Sequence, residues 1–282
     1  MMLTLCRLLS YLPRMKSVLL YTVHKAASSF LDQLLRQTCR RFGVPHFSEN
    51  DDMFHDEIHR QTWAKFIPAQ TAGPACFGPI RGNRQQPIFP SNLSDYSVIL
   101  HLRDPRDVLT SLYYSYSYSH QVIEGRFEPE PGQRKRWQSA GIDEFVLNFA
   151  TGYRANYEVL LERLLGRENV TVVLYEDMVT DYPRWLAEYL TAFEHLKIPR
   201  RKKRHLLLPQ AIRRLTIRQQ LTNKHRNAFQ VDKEDPQSHK RRVTPGDYLN
   251  KLQPETREQL TEHFKEILGI LHQHRFPQRK AA

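Results

Sequence analysis

The sequence predicts one α/β domain with a central parallel β-sheet flanked by helices. Three observations carry that prediction. The chain has 282 residues, 40% of them hydrophobic, enough for one substantial core. Short apolar, β-branched runs alternate along it with segments of helical periodicity. Two of those runs pass through sharp turns directly into helix starts.

Ser17–Val23 (SVLLYTV) reads as a buried strand. The turn His24-Lys25-Ala26-Ala27 follows, and a helix begins at Ser28-Ser29. Phe30, Leu31, Leu34 and Leu35 share one face of it, and basic residues with Gly43 end it. A short strand is expected near Val44–Phe47, then a polar stretch of loop and short helix over Ser48–Gln61. Ala75–Ile80 and Ser97–Leu102 are further strands. Asp104-Pro105 is a helix start, a cap residue followed by proline at the first helical position. Val108, Leu109, Leu112, Tyr113 and Tyr116 then recur at helical spacing. Glu124–Gln138 reads as a surface loop, Ile142–Leu165 as a helix broken near Gly152, and Val170–Tyr175 as a strand. Pro183–Leu196 and Pro254–His272 read as helices, and Arg200–Pro245 as basic, irregular chain wrapping over the active face. The domain is expected over 17–275, with an N-terminal arm at 1–16 and a tail at 276–282.

The apolar stretch Met1–Leu12 is too short to span a bilayer, is interrupted by Arg7, and lacks a cleavage site. It reads as an arm on the domain, and no membrane span is expected. Cys6, Cys39 and Cys76 are odd in number and have no C-x-x-C spacing, which suits a reduced, cytoplasmic protein. The formal net charge of +12 attracts anions, whether nucleic acid, acidic membrane or phosphorylated ligands. The densest run, Arg200-Arg201-Lys202-Lys203-Arg204, reads first as a solvated loop.

Parallel sheets bind ligands at the carboxyl ends of their strands. The turn after the first strand leaves backbone N–H groups converging at a helix N-terminus, which makes a phosphate cradle. Lys25 adds a charge, Ser28 and Ser29 add hydroxyls, and Ala26 and Ala27 leave room for the anion. The glycines of a Walker A loop are absent. A second cradle follows at Leu102–Ser111, with Arg103 at a strand end and Ser111 two turns into the helix. Two anion sites on one rim suit a nucleotide phosphorylated at both its 3′ and 5′ positions.

At these residues the chain resembles the sulfotransferases that use 3′-phosphoadenosine 5′-phosphosulfate (PAPS), whose fold is P-loop-like. His24-Lys25-Ala26-Ala27-Ser28-Ser29-Phe30-Leu31 is similar to their PKSGTTWL loop, without its Gly and Trp. Arg103–Tyr113 (RDPRDVLTSLY) is similar to their RNPKDVAVSYY motif. Tyr175-Glu176-Asp177-Met178 resembles the family's YEDM stretch, and Arg241–Tyr248 (RRVTPGDY) its RKGxxGDW motif. The four segments stand in family order. The resemblance implies in-line transfer of the sulfuryl group to an acceptor hydroxyl, with PAPS as donor, PAP as product and no metal. It implies that Lys25 neutralises the leaving phosphate and that Ala26, Ala27, Ser28, Ser29 and Phe30 hold the 5′ end. It further implies that Arg103, Ser111, Arg241 and Arg242 hold the 3′-phosphate and that Tyr175 lies near the adenine.

The general base is open. Arg81 occupies the place of the histidine that the cytosolic branch uses, and arginine is no base at neutral pH. In the branch resembling tyrosylprotein sulfotransferases a glutamate follows the first helix, which points to Glu49. His55, His59 and His120 are the alternatives. His55 and His59 at i and i+4 do not form an H-E-x-x-H site, and no metal is assigned. Tyr113, Tyr114, Tyr116 and Tyr118 read either as packing or as a stacking surface for an aromatic acceptor. Two other functions fit part of the sequence: a P-loop-like kinase dependent on Mg²⁺, and a basic, non-catalytic nucleic-acid-binding protein. The sulfotransferase reading expects no nucleic-acid partner. It expects an acceptor bearing a hydroxyl and, given the basic surface, an anionic one.

Overall fold

A computed structural model describes residues 15–48, 73–82, 89–119, 132–200, 208–230, 234–236, 238 and 241–275. Five parallel strands form one sheet: β1 Ser17–Val23, β2 His46–Phe47, β3 Cys76–Gly82, β4 Tyr96–Leu102 and β5 Val170–Leu174. Their spatial order is β2-β3-β1-β4-β5, so β1 is central. Nine helices accompany them among the described residues: α1 Ser28–Phe42, α2 Pro105–Tyr114, α3 Gln133–Leu164, α4 Tyr175–Thr180, α5 Tyr182–Thr191, α6 Gln210–His225, α7 Tyr248–Lys251, α8 Pro254–His263 and α9 Lys265–Arg275.

Side chains of successive strand residues point to opposite faces of a sheet, and β1 uses both. Leu19, Tyr21 and Val23 pack with Val108, Leu109 and Leu112 of α2, Phe145 and Tyr157 of α3, and Leu260 and Ile267 of α8 and α9. Val18 and Leu20 pack on the other face with Leu31, Leu34 and Leu35 of α1, Trp185 and Tyr189 of α5, and Ile217 and Leu221 of α6. A sheet buried on both faces explains the nearly continuous apolar runs of its strands. Its topology also selects a place for a ligand. The connection after β1 leads toward β2 at one edge, whereas that after β4 leads toward β5 at the other. A crevice therefore opens where β1 and β4 lie side by side, at their carboxyl ends.

Four expectations need correction. Helix α3 begins at Gln133, inside the stretch read as a loop. Tertiary contacts hold this first segment: Trp137 meets Phe145 edge-on at 5.0 Å, and the Gln138 amide donates to the Ser117 carbonyl at 2.7 Å. Its break falls at Gly141 (φ 83°, ψ 173°), not near Gly152. Helix α6 lies within the region read as irregular. It buries only Ile217, Leu221 and His225, and arginine bonds tie it down. Arg213 donates to the Ile198 carbonyl at 2.7 Å, and Arg218 to that of Pro183 at 2.9 Å. The last predicted helix divides into α8 and α9 at Phe264, which leaves helical backbone (φ −102°, ψ 12°) to enter the core.

The tyrosine run packs. Tyr113 and Tyr116 meet Phe145 edge-on at 5.5 and 5.9 Å. No helix among the described residues is long and apolar enough to cross a membrane.

Candidate active site

Carboxyl ends of four neighbouring strands build one cleft of about 200 Å³. His24, Lys25, Ala27, Ser28, Ser29 and Phe30 enter it from the turn after β1 and the start of α1. Arg81 comes from β3, Arg103 and Ser111 from β4 and α2, and Tyr175 from the end of β5. Ala228, Phe229, Arg242 and Val243 cover it from the later chain. Four cations and no carboxylate line this space among the described residues, so the field inside favours an anion.

The first turn is shaped by two residues in the left-handed region, Lys25 (φ 62°) and Ala27 (φ 60°). Ala27 is the residue before α1, and no side chain caps that helix. No acidic residue stands in its first turn either, so its N-terminal N–H groups and dipole are uncompensated. Ala27 replaces the glycine of the resembling loop at a backbone angle that glycine adopts without cost. An L-residue there loses about 1–2 kcal/mol, of which the extra unfolded-state freedom of glycine cancels about 0.4–1 kcal/mol. Ala27→Gly is therefore expected to stabilise the fold by about 0.5–1 kcal/mol, read as a higher urea midpoint. An unchanged or lower midpoint would contradict the strain.

Arg103 joins the two cradles. Its Nη1 donates to the Lys25 carbonyl at 2.7 Å, and its guanidinium lies 4.1 Å from the centre of the Tyr175 ring. Its own carbonyl accepts from the Tyr157 hydroxyl at 2.6 Å. Burial opposes its charge, but Tyr175, Asp107 and Glu176 outweigh that and hold it protonated. Burial, then Arg103 and Arg241, push the Lys25 ammonium down to about 8. Burial likewise pushes the Glu176 carboxyl up to about 7, and it accepts the Asp104 N–H at 2.9 Å.

Buried Asp107 positions the covering segment. It accepts from the Gly246 N–H at 2.7 Å and the Tyr248 N–H at 3.1 Å. Arg241 and Arg242 then diverge. Arg242 lines the cleft, with its Nη1 3.4 Å from the Asp247 carboxylate and 4.0 Å from that of Glu234. Arg241 is paired with Glu234 and Asp247 and stacks on the Tyr114 ring at 3.9 Å, outside the lining.

Of the residues predicted for donor binding, the structure thus gathers Lys25, Ala27, Ser28, Ser29, Phe30, Arg103, Ser111, Tyr175 and Arg242 around one space. Ala26 is buried in the core beneath it. Glu49, His55, His59 and His120 lie outside the described residues, as does Cys6. Sequence reasoning gave no role to His24, Asp107 or Phe229. The first was recognisable from its place between a strand end and Lys25. Asp107 and Phe229 carry no such local signal, because their partners are distant in sequence.

Comparison with known proteins agrees with this architecture. The family model of the sulfotransferase domain matches residues 15–272, and the chain belongs to that family. No curated protein sequence matched it. Among solved structures it is similar to mouse sulfotransferase SULT7A1 complexed with PAP. That match has 14% identity and a TM-score of 0.55, and covers 91% of this chain and 85% of the other. It is also similar to retinol dehydratase in complex with androsterone and the inactive cofactor PAP. There the identity is 12% and the TM-score 0.50, with 90% and 81% covered.

Proposed function

We propose that this sulfotransferase uses PAPS as donor and transfers its sulfuryl group in line to an acceptor hydroxyl. One observation carries the reading: Lys25 with Ser28 and Ser29, and Arg103 with Ser111 and Arg242, face a single anion-attracting cleft. Two separate cradles on one wall match a nucleotide with phosphates at both ends. The PAP bound to the two compared enzymes fits the same chemistry.

Lys25, the α1 N-terminus and the two serines hold the 5′-phosphosulfate. Arg103, Ser111 and Arg242 hold the 3′-phosphate, with Arg241 supporting that segment. Tyr175 and Phe30 flank the base. The reaction forms a bond from the acceptor oxygen to sulfur as the bond from sulfur to the 5′-phosphate oxygen breaks. Charge grows on the leaving oxygen, where Lys25 sits preorganised to meet it. The cations of the cleft supply positive charge that a metal supplies in kinases, so transfer proceeds without Mg²⁺. The same cations favour an anionic acceptor, such as an acidic glycan or peptide. The free, buried thiols of Cys39 and Cys76 suit a reduced compartment, the cytoplasm.

Calorimetric titration tests the donor. PAP is expected to bind saturably without metal and at least tenfold more tightly than ATP. Tighter binding of ATP that requires Mg²⁺ would favour a kinase, and uptake of any polyanion with steep salt dependence a nucleic-acid binder. The titration also has a predicted pH dependence. Above a pKa of about 8 the free Lys25 loses its proton, whereas bound PAP keeps that proton in place. Affinity should hold to pH 7.5, then fall up to about tenfold per pH unit, with proton uptake on binding near pH 9. Constant affinity from pH 7 to 9.5 would remove Lys25 from the site.

A further inference from the structure

We infer that His24 is the general base that takes the proton from the acceptor hydroxyl. The inference rests on the donor reading above. The strand order places β4, with Arg103 and Ser111 beyond it, on one side of β1, and β3 with Arg81 on the other. A donor held by its 3′-phosphate on the β4 side and its 5′ end at Lys25 directs its sulfuryl group toward the β3 side. Arg81 of β3 lines the cleft on that side, and His24 lines it from the turn after β1. Their strands run in register, Thr22 beside Arg81 and Val23 beside Gly82, so both side chains come from one end of adjacent strands.

The chemistry of the described lining points the same way. The cleft lining among the described residues holds no carboxylate and one histidine. Its arginines are not bases at neutral pH. Four other histidines among the described residues lie outside that lining. His46 Nε2 bonds the Gly78 carbonyl at 2.9 Å, and the His195 ring bonds the Lys16 carbonyl. His101 is wholly buried in the sheet, its basicity pushed down to about 3 by burial and by Arg103. His225 packs edge-on against Phe30 at 5.0 Å.

The step balances without a further reactant. The acceptor O–H proton passes to an imidazole nitrogen of His24, and the acceptor oxygen bonds to sulfur. The electron pair of the broken S–O bond stays on the 5′-phosphate oxygen of PAP, facing Lys25. The imidazolium then releases its proton to water. Arg81, on the neighbouring strand, holds an anionic group of the acceptor.

The test uses the full chain with ¹⁵N-labelled histidine, the His24 ring signals being assigned by their loss in His24→Gln. PAPS is expected to displace those signals well beyond the change caused by PAP, because only PAPS places a sulfuryl group beside the ring. Identical responses to PAP and PAPS would overturn the assignment. In parallel, His24→Gln should bind PAP within about threefold of wild type. It should also transfer radiolabelled sulfate from PAPS to phenol and carbohydrate acceptors at least about a hundredfold more slowly. Transfer at the wild-type rate would equally overturn it. Failure of the wild-type protein to bind PAP is a separate outcome and would overturn the donor reading itself.

Discussion

Lys25→Ala is expected to lower sulfuryl transfer from PAPS about a hundredfold or more, with a smaller effect on PAP affinity. The asymmetry follows from where charge develops. In the proposed complex the ground-state nucleotide is held by the α1 N-terminus, Ser28, Ser29 and the second cradle as well as by the lysine. The leaving oxygen gains its charge only as the S–O bond breaks. A preorganised donor aimed there is worth about 3–4 kcal/mol, and about 1.4 kcal/mol is a factor of ten in rate. Single-turnover transfer measured beside PAP titration separates the two effects. Burial and the Arg103 and Arg241 fields push the Lys25 ammonium down to about 8, and a bound dianion would oppose that shift. An equal loss in affinity and rate would make Lys25 a binding residue only.

Arg103→Ala is expected to remove both donor binding and a large part of the stability. The residue is 4% exposed. It bonds the Lys25 carbonyl, stacks on Tyr175, and is 3.9 Å from Asp107. Truncation leaves the Asp107 carboxylate buried without its cation, a defect that costs about 3–5 kcal/mol. It also releases the turn that holds Lys25 in left-handed backbone. Denaturant midpoints should fall accordingly, and PAP binding should weaken more than a hundredfold even where the variant remains folded. Arg103→Lys should recover part of the stability and little of the binding. An ammonium cannot reproduce the planar fork that spans a carbonyl and a ring face and, in the proposed complex, a phosphate. An Arg103→Ala variant of wild-type stability and affinity would dismantle the site.

How far the sequence can be read depends on how local each signal is. Ser17–Val23 was legible to the residue as β1 because a β-branched apolar run buried on both faces has few alternatives. The start of α2 was legible because Asp104 caps it and Pro105 fixes its first turn, with the Asp104 carboxylate accepting the Arg106 N–H at 2.9 Å. Both cradles were readable for the same reason, since each is a short strand-turn-helix unit. Helix α6 was not legible. Its stability comes from arginines bonded to carbonyls of distant segments and from a narrow buried stripe, and composition registers neither. Arg241 and Arg242 both pair with Asp247 and Glu234, but of the two only Arg242 also lines the cleft, and that difference depends on the fold of the covering segment around Asp107. Adjacent basic residues could not be told apart before that fold was known. His24 lay in plain view beside Lys25, but its significance appears only once β3 brings Arg81 alongside.

The central claim is that one nucleotide bridges both cradles. Phosphorus-31 NMR of bound PAP, whose 3′ and 5′ phosphates give separate resonances, tests it most directly. One equivalent of PAP should shift both resonances. Lys25→Ala should then alter mainly the 5′ signal, and Ser111→Ala mainly the 3′ signal. Two equivalents at saturation, or a Ser111→Ala variant that leaves the 3′ signal as in wild type, would contradict a single bridging ligand.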